Sequence, residues 1–184
     1  MASKKASGAQ RVEVNRAPVL TLWAAVVAMR LGFDRDEALT LGRVVAGLNA
    51  YAKGKSLGIF KPAPESVRKE RKKLSSRRRL HVDLLHRAVP VRRTVDGLRA
   101  LSKDKPVAPK SVQRYLEQKF GESLNAVERA MGALARSLAP EELAARAYRL
   151  YEAFRPSVPA GKRGWGAAGV LDLAKVRAAA KANA

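Results

Sequence analysis

The stretch that decides the fold is residues 34–54, DRDEALTLGRVVAGLNAYAKG, which has the pattern of a single helix. Asp34 is typical of a helix N-cap, and Glu37, three residues later, completes a capping-box pattern. The apolar residues that follow cover most of the helix circumference: Leu39, Leu41, Val44, Val45, Leu48 and Tyr51. A helix that is apolar nearly all round must be buried. We therefore expect residues 35–53 to pack against other elements or against a second copy of the chain.

Upstream of this helix, residues 18–31 predict a first helix that ends at Gly32, a residue suited to a C-terminal cap. Residues 1–16 form a polar stretch with nothing to bury, and we expect a disordered tail there. The apolar run within 18–29 has no small-residue cleavage pattern after it, and it is shorter than the roughly 20 residues that span a bilayer. Together with the absence of cysteine, this favours a cytoplasmic protein without membrane segments.

Downstream, short β-rich runs on either side of Pro90 predict a small hairpin. Amphipathic patterns predict helices over 110–121, 122–138 and 140–154, and a last short helix over 171–181. The expected fold is mainly α: a helical bundle of about six or seven helices with a small β-hairpin. The expected organisation is a tail (1–16), an N-terminal helical unit (17–57), a basic linker or binding segment (58–80) and a C-terminal helical domain (81–178).

Positive charge is concentrated in the middle of the chain. The net charge is +21, and residues 61–110 contribute more than half of it, with 16 basic and 5 acidic residues. We call residues 68–79, RKERKKLSSRRR, the basic segment; eight of its twelve residues are Lys or Arg. A field of this size attracts polyanions, of which nucleic acid is the commonest in a cell. The plain alternative is a solvated connector without a partner.

Residues 94–121 add a second indication of nucleic-acid binding. The sequence TVDGLRALSKDK, then PVAP, then KSVQRYLEQKFG predicts a helix, a short turn and a second helix. The stretch PKSVQRYL resembles the recognition helix of helix-turn-helix proteins. That resemblance implies that Lys110, Gln113 and Arg114 face the major groove, where Arg pairs with guanine and Gln with adenine. The alternative is an ordinary packed helical hairpin.

A third indication lies near the C-terminus, where Trp165 stands among Lys162, Arg163 and glycines, a composition suited to backbone contact and base stacking. Trp165 is equally suited to fixing its loop on the core. The complete set of expected nucleic-acid contacts is Arg68, Lys69, Arg71, Lys72, Lys73, Arg77, Arg78, Arg79, Arg92, Arg93, Lys110, Gln113, Arg114, Lys162, Arg163 and Trp165.

Signals for catalysis and cofactors are weak. Residues 164–169, GWGAAG, match the letters of a dinucleotide-binding turn, but a Pro-rich loop precedes them where a strand is required. His81 and His86 have no cysteine or acidic cluster to complete a metal site. Acidic groups such as Asp34, Asp36, Glu37, Glu141 and Glu142 fall in first helical turns, where they complement the helix dipole. We therefore expect no cofactor, no metal and no catalytic residues, although a nuclease with scattered carboxylates is not excluded by this pattern.

The sequence thus predicts a non-catalytic nucleic-acid-binding protein, with DNA favoured over RNA, that acts as a regulator or a chromosome-associated protein at the nucleoid. Two alternatives remain open. An RNA-binding protein would use the same cations, with Trp165 and Tyr115 as stacking surfaces. A helical scaffold would dimerise through helix 35–53, and its charge would be incidental.

Overall fold

The computed structural model describes residues 11–58, 64–69, 80–162 and 166–184. Six helices have both ends within these ranges: α1 (Arg16–Arg30), α2 (Arg35–Ser56), α3 (Pro109–Phe120), α4 (Leu124–Arg136), α5 (Pro140–Phe154) and α6 (Leu173–Ala182). Six strands lie in the same ranges: β1 (Arg11–Glu13), β2 (Leu80–Leu84), β3 (Arg87–Thr94), β4 (Gly97–Ser102), β5 (Lys105–Pro106) and β6 (Val170–Asp172). Residues 65–69 are also helical.

The fold is a helix-rich mixed α/β fold, so the expected mainly α bundle is wrong. The strands form two antiparallel sheets, one of four strands in the order β2-β3-β4-β5 and one of two strands, β1-β6. The larger sheet extends well beyond the small hairpin that the sequence indicated around Pro90. We call its first three strands, residues 80–102, the basic hairpin sheet.

The predicted helix-turn-helix over 94–121 is also wrong, because its first helix is strand β4. Gly97 adopts a φ of 104°, a positive value that glycine reaches without the steric cost of a side chain. It lies at the end of the tight turn between β3 and β4. Ala100 and Leu101 are then buried in the core. Pairing with β3 and burial against α2 override the helical preference of the Leu, Arg and Ala side chains in this stretch. The second helix of the predicted motif is present as α3.

The two helices expected from the sequence in this region are present as α1 and α2, and they pack against each other. Asp34 accepts a hydrogen bond from the Glu37 backbone N–H, and Glu37 accepts one from the Asp34 N–H, so the capping box is formed. Gly42 lets the helices approach closely, since a Cβ at this position would lie 2.3 Å from the Thr21 carbonyl oxygen. Helix α2 contacts α1, β4 and α3, and these neighbours bury Leu39, Leu41, Val44 and Val45. The expected burial of the whole apolar surface is wrong at the C-terminal end of the helix, where Tyr51 is 51% exposed.

Two polar side chains of α2 fix the sheet against the helix. The Ala100 N–H donates to the Thr40 hydroxyl at 3.1 Å, and the Leu98 N–H donates to the Glu37 carboxylate at 3.0 Å. Thr40 is completely buried, where an unpaired hydroxyl would be costly, so these bonds specify how β4 lies on the helix.

The C-terminal helices complete one continuous hydrophobic core. Helix α3 buries Val112, Leu116 and Phe120, the apolar face expected from the sequence. Trp23 of α1 donates its indole N–H to the Ala147 carbonyl oxygen at 2.8 Å and meets the Phe154 ring edge-on at 5.3 Å. These contacts join the first helix of the chain to the fifth.

The expected disordered tail over 1–16 is wrong for residues 11–16, while residues 1–10 lie outside the described part of the chain. Val12 and Val14 are buried, and Val12 pairs with Leu171 in the β1-β6 sheet. Helix α1 already begins at Arg16. The partner strand lies about 160 positions away in sequence, so no local pattern shows that this short segment has a place in the core.

Candidate nucleic-acid interface

Only part of the basic segment lies within the described residues. Arg68 and Lys69 are exposed at the end of the helical residues 65–69, and the Lys69 ammonium lies 3.2 Å from the Glu65 carboxylate. Six other predicted contacts fall outside the described part: Arg71, Lys72, Lys73, Arg77, Arg78 and Arg79. Arg163 and Trp165 fall outside it as well.

The register of the basic hairpin sheet places Leu80, the residue that follows the basic segment in the sequence, at the same end of the sheet as two further arginines. Arg79 immediately precedes Leu80, and Leu80 pairs with Val91 across the antiparallel β2-β3 ladder. Arg92 and Arg93 follow Val91 and therefore lie at the end of the sheet where the basic segment joins it. Both side chains are exposed, and neither makes a hydrogen bond or ion pair with the described residues.

At the opposite end of the sheet, the guanidinium of Arg87 is already hydrogen-bonded within the protein. Arg87 donates to the Asn49 side-chain oxygen at 3.0 and 3.3 Å, and Asn49, which is buried, donates to the Val45 carbonyl oxygen. Arg87 thus connects the sheet to α2. His86 lies in the adjoining turn with a positive φ, and His81 is exposed on β2 opposite Pro90. The described residues contain no cluster of His, Asp and Glu that could hold a metal ion.

The three predicted α3 residues lie together along one groove between α2 and α3. We call it the α3 groove; it has a volume of about 410 Å³ and is lined by Arg35, Asp36, Leu39, Pro109, Lys110, Gln113, Arg114 and Glu117. The Gln113 amide is already bonded on both sides, because it accepts from Arg35 at 3.1 Å and donates to Glu117 at 2.8 Å. Lys110 and Arg114 are exposed.

Acidic residues accompany the cations of the α3 groove. The guanidinium of Arg35 donates to Glu128 at 2.7 Å, and this hydrogen bond is the main reason that the pKa of Arg35 is raised. Asp36 and Glu117 line the groove itself. The positive potential there is therefore partly neutralised by the protein's own carboxylates.

Arg99, which sequence reasoning missed, connects the hairpin to the α3 groove. It lies opposite Arg92 in the β3-β4 register, and its side chain is 7% exposed. Its guanidinium donates to the carbonyl oxygens of Asp96 and Leu98 at 2.9 Å and lies 3.9 Å from the Asp36 carboxylate. The sequence alone could have indicated this role of Arg99 only if residues 97–102 had been recognised as a strand. The burial of Arg99 follows from the position of that strand against α2.

Two other residues predicted to contact nucleic acid, Lys162 and Tyr115, are less suited to do so. Lys162 lies apart from the hairpin and the α3 groove, and the ring of Tyr115 is already covered. Lys162 is exposed in the loop between α5 and β6, which belongs to neither the hairpin nor the α3 groove. The Tyr115 ring, a stacking surface in the RNA alternative, is half-buried and has the Arg43 guanidinium 4.3 Å from its centre. A base could stack on that face only by displacing Arg43.

No protein-family model, no curated protein and no solved structure matches this chain. Among the helices of the described residues, none is both long and apolar enough to cross a lipid bilayer.

Proposed function

We propose that this protein binds nucleic acid, duplex DNA in the first place, through its phosphates and without catalysing a reaction. The basic segment and the two exposed arginines of β3 form the binding surface, and Lys110 and Arg114 make secondary contacts. Phosphate contacts of this kind supply affinity and little sequence information.

One observation supports the proposal: the β2-β3 register places Leu80, the residue that follows the basic segment in the sequence, at the same end of the sheet as Arg92 and Arg93. Without Arg92 and Arg93 nearby, the basic segment would be a charged connector with no positively charged residues of the folded protein next to it. Cations that lie together on a chain and on the sheet beside it can neutralise neighbouring phosphates, which are spaced every few ångströms along a strand.

Because the helix-turn-helix motif is not formed by residues 94–121, the proposal does not include sequence-specific binding. Strand β4 stands where the first helix of that motif was expected, and Gln113 is bonded within the protein. We therefore propose binding with little sequence preference, as for a chromosome-associated protein at the nucleoid, in the cytoplasm. Sequence reading by α3 is no longer part of the proposal.

The test is a titration of fluorescein-labelled duplex DNA by fluorescence anisotropy between about 50 and 200 mM salt, with a structured RNA as competitor. About six phosphate contacts would make log K fall against log salt with a slope near −5. We expect duplex DNA of unrelated sequences to bind alike and to resist displacement by the RNA. Failure to bind DNA would contradict the proposal, and preferential displacement by RNA would replace DNA with RNA as the partner.

A further inference from the structure

A second groove lies between α1 and α4, apart from the basic hairpin sheet. Its volume is about 800 Å³, within the roughly 300–1,000 Å³ typical of small-molecule sites. Its floor is largely apolar, formed by Val26, Met29 and Ala135. We call it the α1–α4 groove.

Three arginines surround this floor: Arg30, Arg129 and Arg136. Within the described residues none of them pairs with a carboxylate. Arg30 donates one guanidinium N–H to the Leu138 carbonyl oxygen at 3.2 Å, and Arg129 donates to the Asn125 carbonyl oxygen at 3.3 Å. The one carboxylate of the groove, Glu128, is engaged by Arg35 at its edge.

The hydrogen-bonding capacity of these arginines is not satisfied within the protein. The Nε of Arg30 is enclosed and has no acceptor among the described residues. An unmade hydrogen bond at an enclosed donor costs free energy, so this guanidinium gains when an oxyanion draws it into a better-bonded position. Guanidinium groups are also matched in shape to carboxylate and phosphate oxygens.

Gly132 provides the space in the groove. It lies in the interior of α4, where glycine destabilises a helix by comparison with alanine. The nearest atom to an added Cβ would be the Arg136 guanidinium nitrogen, at 3.1 Å, and the other close atoms also belong to that guanidinium. The glycine thus allows Arg136 to fold back over the helix at the groove.

We propose that the α1–α4 groove binds a small organic anion, with a phosphate or carboxylate group held by the three arginines and an apolar body on the floor. This site is independent of the DNA surface proposed above. An oxyanion without an apolar body would satisfy the arginines but leave the floor in water, so it binds more weakly.

The test uses isothermal titration calorimetry with phenyl phosphate and inorganic phosphate as probes. We expect the wild-type protein to bind phenyl phosphate about tenfold more tightly than inorganic phosphate, because the ring covers the floor. Gly132→Leu keeps the net charge of the protein, fills the groove and displaces the Arg136 guanidinium, and it should weaken phenyl phosphate binding at least about tenfold. Arg129→Gln with Arg136→Gln should weaken it by a similar factor, through loss of charged hydrogen bonds.

A double variant of two exposed arginines outside the groove, Arg149→Gln with Arg177→Gln, removes the same charge and is the matched control. It should change the affinity less than about twofold, because exposed charges at a distance are screened by salt. The DNA affinity of Gly132→Leu should equal that of the wild type, so failure of this site and failure of DNA binding are distinguishable. Unchanged phenyl phosphate binding in Gly132→Leu, or equal losses in the two double variants, would overturn the proposal.

Discussion

The basic hairpin sheet and the α3 groove both expose cations, but they differ in what those cations already contact. Arg92 and Arg93 on β3 have no partner among the described residues and adjoin the basic segment. In the α3 groove, Arg35 is bonded to Glu128, while Lys110 and Arg114 share the groove with Asp36 and Glu117.

This difference shows that the number of exposed cations on a surface does not by itself determine how strongly the surface attracts phosphate. A cation beside a carboxylate offers a phosphate less net attraction, because the carboxylate repels the phosphate at a similar distance. Among the described residues, Arg92 and Arg93 form no ion pair, and no groove shared with carboxylates surrounds them as it surrounds Lys110 and Arg114. We therefore propose that the basic segment and the hairpin would make the larger contribution to DNA binding, and the α3 groove a smaller one.

The largest effect should come from Val45→Asp, because α2 supports both regions at once. Val45 is completely buried, and an unpaired carboxylate at this position costs an appreciable part of the ~5–15 kcal/mol that stabilises a typical domain. We expect the protein to unfold and to lose DNA binding altogether, as measured by circular dichroism and anisotropy.

The control for this substitution is Gly47→Asp, two positions later on the same helix. Gly47 is exposed, and nothing lies within 4 Å of an added Cβ, so the same new charge should leave the fold intact. A folded Val45→Asp protein would show that α2 is not the common support of the two regions.

Replacing Arg77, Arg78 and Arg79 by Gln should have the next largest effect. These residues lie directly before β2, and three lost phosphate contacts should flatten the salt slope by about two to three units at ~0.9 per contact. The slope of log K against log salt is the measurement, made on folded protein. An unchanged slope would remove the basic segment from the binding surface.

Arg114→Ala should have a smaller effect, and the same effect on every duplex. The residue is exposed on α3 in a groove that also contains Glu117, so we expect the slope to flatten by less than about one unit. Several duplexes of unrelated sequence provide the comparison. A loss of affinity confined to one DNA sequence would indicate that Arg114 contacts a base and that α3 recognises DNA sequence.

Tyr151→Phe should leave DNA binding unchanged and should change the pH dependence of stability only at alkaline pH, which makes it a control for both regions. Burial raises the pKa of the Tyr151 hydroxyl well above its usual value near 10, and that hydroxyl lies 3.3 Å from the Arg16 carbonyl oxygen.

Because this pKa is raised on folding, the stabilising contribution is complete below about pH 10 and is lost as the pH rises further. Urea unfolding of wild type and Tyr151→Phe should therefore differ by a constant free energy up to about pH 9.5. Above about pH 10 the wild type should lose up to ~1.4 kcal/mol per pH unit relative to the variant. Parallel pH profiles at all values would contradict this assignment.

The helices were predictable from the sequence because their signals are local. The capping box at Asp34 and Glu37 formed as expected, and the apolar faces of α3, α4 and α5 are buried. Their 3.6-residue periodicity is contained within each segment, so no distant partner is needed to recognise it.

The strands were predictable only in part: the β-rich runs around Pro90 predicted the hairpin of β2 and β3, whereas β1, β4, β5 and β6 were not predicted. Residues 97–102 contain Leu, Arg and Ala, which favour a helix, and they form a strand because they pair with β3 and donate backbone hydrogen bonds to side chains of α2. Val12 likewise depends on Leu171, far away in the chain. In the candidate site, Arg92, Arg93 and Lys110 could be selected from the sequence as cations and are exposed, whereas the connection through Arg99 required knowledge of the strand register.

The most direct test of the account compares two double variants that remove equal charge, Arg92→Gln with Arg93→Gln, and Lys110→Gln with Arg114→Gln. The salt slope of duplex DNA binding is measured for each, beside the wild type. We predict that the hairpin variant flattens the slope by about two units and the groove variant by less than one. Equal flattening, or a larger change in the groove variant, would contradict the claim that the basic segment and the hairpin form the phosphate-binding surface.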